Sequence, residues 1–148
     1  MATPGQWIAG ELVTAINAAA IASLYVPGVS LPMSPNTAAV VKMPRYTLEN
    51  LAELKTCVAS RSRSLKAGGR APRTHEVTCQ VMLLKKLDAD YTELDALLEL
   101  VYSLDMLIAK QTRLGWISSS NDPEYDTDSL DTLCVFKSVL TVNFASTP

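Results

Sequence analysis

Reactive side chains are few. The 148 residues include three cysteines (Cys57, Cys79 and Cys134) and a single histidine, His75. An odd cysteine count without a CxxC pair or metal-type spacing argues against a disulfide framework and against a zinc site. All three cysteines fall in strand-like runs, so they read as buried free thiols of a reducing compartment. His75 and Cys79 share one side of an extended stretch, but about 13 Å apart, too far for a Cys–His pair within one strand. Cys57 or Cys134 could approach from another strand, although no spacing demands it. There is no Gly-rich phosphate loop, no nucleophile elbow and no helical HExxH; Gly68-Gly69 is not followed by Gly-Lys-Ser/Thr. No catalytic residue, metal ligand or cofactor site is therefore assigned, and a non-enzymatic role is expected. No apolar run reaches ~18 residues, so no membrane span is expected. The first residues lack a charged n-region, an apolar h-region and a cleavage pattern, so no secretory leader is expected either.

The rest is ordinary for one globular domain: 48% hydrophobic and 19% charged, with no long low-complexity run. The net charge of −2 argues against a dedicated nucleic-acid or membrane-surface protein, but it conceals an asymmetry. From Lys42 to Arg73 eight basic residues face two acids, and from Asp88 to Asp131 eleven acids face Lys110 and Arg113. One reading is two solvated surfaces on a small domain. The other is self-complementarity, the basic face of one copy meeting the acidic face of the next.

The stretch Thr74–Leu114 organises the chain. His75, Val77, Cys79, Val81 and Leu83 alternate with Thr74, Glu76, Thr78 and Gln80, the period of a half-buried strand over Thr74–Leu84. After Asp90 the period changes. Leu94, Leu97, Leu98, Val101, Leu104 and Ile108 form an amphipathic stripe, worth roughly 10–15 kcal/mol of gross burial at ~1.5–3 kcal/mol each. Asp90 with Glu93 suits an N-cap and capping box, and Gly115 a stop just past Leu114.

Upstream, Thr3-Pro4 opens a helix whose apolar face, from Trp7 and Ile8 through Leu12, Val13 and Ile16, continues to about Ala22. Residues 23–35 read as a short extended piece, a Pro27-Gly28 turn and an irregular connection. Ala38–Met43 reads as a short strand that Pro44 confines to an edge or an end. Residues 48–54 fit either a helical turn or a strand lead-in, and Thr56–Ser62 is a polar strand. Arg63–Arg73, with Gly-Gly, a proline and four basic residues, reads as a long exposed loop between antiparallel strands. Ser118–Asp128 is a polar turn, and Ser129–Leu133 a helical turn. Cys134–Phe144 is the strongest strand, apolar on both faces, which suits a central place in a sheet or cover from a neighbouring subunit. Trp7 and Trp116 read as core or interface. The order helix, strand, strand, strand, helix, strand predicts a single α+β domain over 1–148. Its expected core is a mostly antiparallel sheet of about four strands against a long amphipathic helix and an N-terminal helix.

Asp122, Glu124, Asp126 and Asp128 occupy alternate positions, as a cation loop might require, but the sharp-turn Gly and closing Glu of a calcium loop are missing. A surface turn with helix-capping aspartates is the commoner meaning. The basic tract carries no aromatic residue to stack a base and no reading motif for nucleic acid.

LENLAELKTCVASRS, THEVTCQVMLLKK, ELDALLELVYSLDMLI and NDPEYDTDSLDTLCVFKSVLTVNF follow one another across roughly residues 45–144. Together they resemble the tail-terminator and neck proteins of long-tailed bacteriophages and prophages, above all in N-D-P-x-Y and F-x-S-V-L-T-V-N-F. The resemblance implies a structural virion protein, assembled in the host bacterial cytoplasm. It implies a homo-oligomeric ring of about six copies that terminates the tail tube and joins it to the head-completion (neck) proteins. The tail tube protein, the neck proteins and DNA in the channel would be its contacts, with no membrane involved. On that reading Arg61, Arg63, Lys66, Arg70 and Arg73 form a loop toward the lumen or an adjoining ring, and Asp95, Glu99, Asp105, Asp122 and Glu124 form the acidic subunit interface. The rivals are a head-completion adaptor or stopper at the portal side, a small DNA-binding protein, and a small hydrolase or transferase using Cys79 or His75.

Overall fold

The computed structural model describes residues 3–18, 38–40, 55–68, 71–91 and 94–146, so the readings at 23–35 and 48–54 lie outside it. Helix α1 spans Pro4–Ala18. It opens with a reciprocal capping box: Gln6 N donates to Thr3 Oγ1 at 3.2 Å, and Thr3 N to Gln6 Oε1 at 2.9 Å. Its buried face is Gly5, Ile8, Ala9, Leu12 and Ile16. Trp7, expected on that face, is 43% exposed.

Strands β1 (Ala38–Val40), β2 (Lys55–Gly68) and β3 (Ala71–Lys86) precede helix α2 (Leu94–Ala109). A 3-10 turn (Thr112–Leu114), strand β4 (Trp116–Ser120), helix α3 (Thr127–Leu133) and strand β5 (Val135–Ser146) complete the order. The strands form one sheet in the order β1-β2-β3-β5-β4. The β1–β2 pairing is parallel and the others antiparallel. The fold is α+β, and the sheet has one strand more than expected because Trp116–Ser120, whose last three residues open the stretch read above as a polar turn, pairs with β5. Among the described strands β1 is the outermost on its side, in keeping with the edge or end place expected from Pro44.

One sheet face carries Val58, Val77, Val81, Leu83, Phe136, Leu140, Val142 and Phe144 into a common core with α1 and α2. The α2 stripe supplies Leu97, Leu100, Val101, Leu104 and Ile108 to it, with Leu94 and Leu98 packed at its margin. Two smaller apolar groups, Cys57 with Ala59 and Met82, and Leu84 with Val135, occupy the opposite face. The apolar character of both sides of β5 follows from its central place.

Two expectations need correction. The predicted loop at 63–73 is a hairpin, since β2 runs on to Gly68 and β3 begins at Ala71, with Gly68 opposite Ala71. Backbone pairing holds this arm together, and it needs no apolar alternation to do so. Helix α2 is shorter than expected at both ends. Tyr91 stands at φ 53, a left-handed conformation that interrupts a helix, so Asp90 lies in a turn before α2 instead of capping it. Gly115 is in the left-handed region as expected, but it closes the 3-10 turn, its N–H bonding to Thr112 O.

Two residues set local stability. Gly115 has φ 79, and a Cβ there would collide with the Ala145 carbonyl oxygen, in the same pair of residues where Ala145 N donates to Gly115 O at 2.8 Å. Gly115→Ala should therefore destabilise the fold by about 3 kcal/mol or more, read as a lowered urea midpoint with the slope unchanged. Asp126 caps α3, accepting from Asp128 N and from Ser129 Oγ at 2.7 Å. The Ser129 hydrogen bond, with smaller help from the Asp128 amide and Lys137, holds its pKa below the ordinary aspartate value. Its stabilisation is complete above an unfolded-state value near ~3.9 and is lost as pH falls through the lower folded value. Asp126→Asn should flatten the loss of stability on acidification, compared by urea midpoints at about pH 7 and pH 3.

Candidate functional site

The basic residues gather on the β2–β3 arm. Between Ser60, opposite Cys79, and Ser62, opposite Thr78, Arg61 is an extra, unpaired residue: a β-bulge. Arg61 Nε donates to Gln80 Oε1 at 2.8 Å across the strands. Arg63, opposite Val77, lies on the helix-facing side. Its Nη1 is 3.2 Å from His75 Nδ1. A guanidinium only donates, so in this contact His75 Nδ1 is the acceptor. Lys66 and Arg73 lie on the paired backbone of the arm; their side chains, and Arg70 as a whole, are outside the described residues. Past His75, which pairs with Ser146 of β5, no described strand other than β2 pairs with β3. The arm therefore reaches beyond the central ladder. Leu65, 47% exposed, adds an apolar contact point that charge counting did not flag.

The acids divide among three places. Asp95 and Glu99 are exposed on the outer stripe of α2, which also carries Tyr102, 66% exposed, and Met106. Subtracting the buried stripe from the helical wheel leaves 95, 99, 102 and 106 together, so this apolar spot among charges was within reach of the sequence. Asp105 and Glu124 line one cleft with Leu98, Val101, Tyr102, Asn121 and Leu140. Asp122 instead lines a cleft on the other side of the β4–α3 connection, with Gln80, Asp126, Lys137 and Thr141. The alternating acids at 122–128 are thus parted, one of them used as a helix cap. Among the described residues no three His, Cys, Asp or Glu side chains are grouped to hold a metal ion.

The β4–α3 connection is fixed over the sheet by Ser138. This buried hydroxyl lies 2.8 Å from the Glu124 carbonyl and 3.1 Å from Asn121 Oδ1. The Asp122-Pro123 peptide within the connection is cis. Across the outer sheet face Thr78 Oγ1 donates to Asn143 Oδ1 at 2.7 Å and Asn143 Nδ2 to Ser118 Oγ at 3.1 Å. That polar rung links β3, β5 and β4.

The groups considered for nucleophilic chemistry are apart. Cys79 is fully buried. Burial pushes its thiol up to about 11, against the opposing effect of a Ser60 hydrogen bond, so it is protonated at neutral pH and is a poor nucleophile. His75 lies four positions away on β3 and is engaged with Arg63. No helix among the described residues is long and apolar enough to cross a membrane. No protein-family model matches the chain, and no curated protein matches it.

Proposed function

We propose that this chain is a structural, ring-forming subunit that terminates a bacteriophage tail tube and joins it to head-completion proteins. The observation that carries the reading is the separation of opposite charges onto distinct elements. The arginines at 61 and 63 lie on a hairpin that reaches past the central ladder, whereas Asp95, Glu99, Asp105 and Glu124 lie on α2 and the β4–α3 connection. Two different surfaces of opposite sign on one small domain suit a heterologous contact, and a heterologous contact that closes on itself makes a ring. The resemblance of residues 45–144 to tail-terminator and neck proteins supplies the identity of that ring. On this reading the chain acts by position: it stops tube growth, offers a docking face and leaves a channel for DNA. An adaptor at the portal side would use the same surfaces, and binding to isolated tail tubes instead of portals separates the two.

The arm supplies the test. The wild-type chain should show a ring-sized mass of about six copies by light scattering at low salt, falling at high salt as exposed charges are screened. Replacing Arg61, Arg63, Lys66, Arg70 and Arg73 together with Ser should shift that mass to the monomer and weaken tube capping, with the urea midpoint close to wild type. Assembly and capping unchanged by the five substitutions would refute the assignment. DNA affinity that falls steeply with salt, in a chain that ignores tubes, would point instead to counterion release and a nucleic-acid binder.

A further inference from the structure

We propose that the cleft between α2 and the Asn121–Glu124 segment receives an arginine from a second copy of this chain, Arg63 of its hairpin arm. The proposal rests on the ring-subunit reading above and adds which side chains make the contact.

The cleft has a volume of about 190 Å³, below the ~300–1,000 Å³ typical of small-molecule sites, and suits one long side chain. Its walls combine two carboxylates, Asp105 and Glu124, with the ring of Tyr102 and the aliphatic side chains of Leu98 and Val101. Asp105 Oδ1 is withdrawn from solvent and has no hydrogen-bond partner. A shielded carboxylate oxygen without a donor is unfavourable, and a donor arriving from outside relieves it. Tyr102, 66% exposed, can stack on a flat guanidinium, and the fork of an arginine can serve a carboxylate with two parallel N–H groups. Together these favour arginine over lysine. Ser138 holds the far wall through the Glu124 carbonyl and Asn121 Oδ1, so the cleft is formed before anything enters it. Little ordering then opposes binding.

Arg63 fits as the donor. It is exposed, and the group at hydrogen-bond distance from it among the described residues is the imidazole of His75. Exchanging that weak acceptor for Asp105 and Glu124 of a second copy gains a charge-assisted pair. Cleft and arm are different surfaces, so the contact runs head to tail.

The test is self-association of the full chain, followed by sedimentation and light scattering at low salt. Asp105→Arg and Arg63→Glu should each weaken association at least about thirtyfold, as expected when one partner of a desolvated charge pair is lost. Asp105→Asn and Tyr102→Ala should act in the same direction, and they serve if the reversal at Asp105 disturbs folding. Asp90→Asn and Asp131→Asn remove exposed acids outside the cleft and should leave association within about threefold. Mixing the Asp105→Arg chain with an Arg63→Ala chain should give a one-to-one heterodimer and nothing larger. The first retains an intact arm and the second an intact cleft, so each pair has one working contact. Association unaffected by the cleft and arm substitutions, or weakened equally by the two controls, overturns the proposal while leaving the ring reading in place. So does a mixture that forms no heterodimer. A wild-type chain that stays monomeric but caps tubes also overturns this contact alone; one that is monomeric and ignores tubes overturns the ring reading as well.

Discussion

The antiparallel ladder between β3 and β5 is the constraint on which the remainder of the molecule depends. It pairs His75 with Ser146 at one end and Lys86 with Val135 at the other. Through it Val77, Cys79, Val81 and Leu83 stand beside Phe144, Val142, Leu140 and Ser138 on a single face. That face is the floor on which α1 and α2 lie. β2 can extend into an arm only because β3 is held on its other edge, and β4 has β5 as its strand neighbour. The one polar side chain in that row, Ser138, is also the anchor that draws the acidic connection down over the sheet. A buried hydroxyl in an apolar floor needs an acceptor, and here its acceptors shape a cleft wall.

The arm and the cleft, the two surfaces proposed above to meet, both inherit their geometry from that ladder. The arm is an outgrowth of β2 and β3 past the end of β5. The cleft is the gap left where α2 crosses the floor and the β4–α3 connection closes one side. Neither surface carries a grouped set of nucleophile, base and orienting residue, and the fully buried Cys79 thiol is held in its protonated form. What the two surfaces carry is charge of opposite sign, arginines on the arm and carboxylates at the cleft.

Much of the architecture was legible wherever apolar residues had a partner face to fill. The alternation in Thr74–Leu84, the stripe from Leu94 to Ile108 and the two-sided strand after Cys134 all correspond to observed elements. What escaped was structure set by strand pairing. The Arg63–Gly68 end of β2 and Trp116–Ser120 of β4 have too little hydrophobic periodicity to read as strands, and each is held by an antiparallel neighbour. The premature start expected for α2 has a different cause: Asp90 and Glu93 offer good capping chemistry in sequence, but Tyr91, directly after Asp90, adopts a left-handed conformation that sets Asp90 apart from the helix. At the interaction surfaces, residue type was readable and direction was not. Asp105, Asp122 and Glu124 looked equivalent in sequence, yet packing sends Asp105 and Glu124 to one cleft and Asp122 to another. Tyr102 carries no charge, so the charge pattern that marks its acidic neighbours does not single it out.

The bulge at Arg61 also decides which way the arm faces. Before it, Cys57 and Ala59 point away from the helices; after it, Arg63 and Leu65, odd-numbered as well, share the side of Val77 and His75. One extra residue thus inverts the parity of the strand. Were the bulge drawn flat with Arg61 paired into the ladder, Ser62 and Ser64 would turn toward the helices and Arg63 and Leu65 would move to the opposite face, so every amino acid of the tip would be kept while the surface it presents reversed. Removing Arg61 itself would only restore regular pairing, so the side on which the arm carries its charge is set by one unpaired residue.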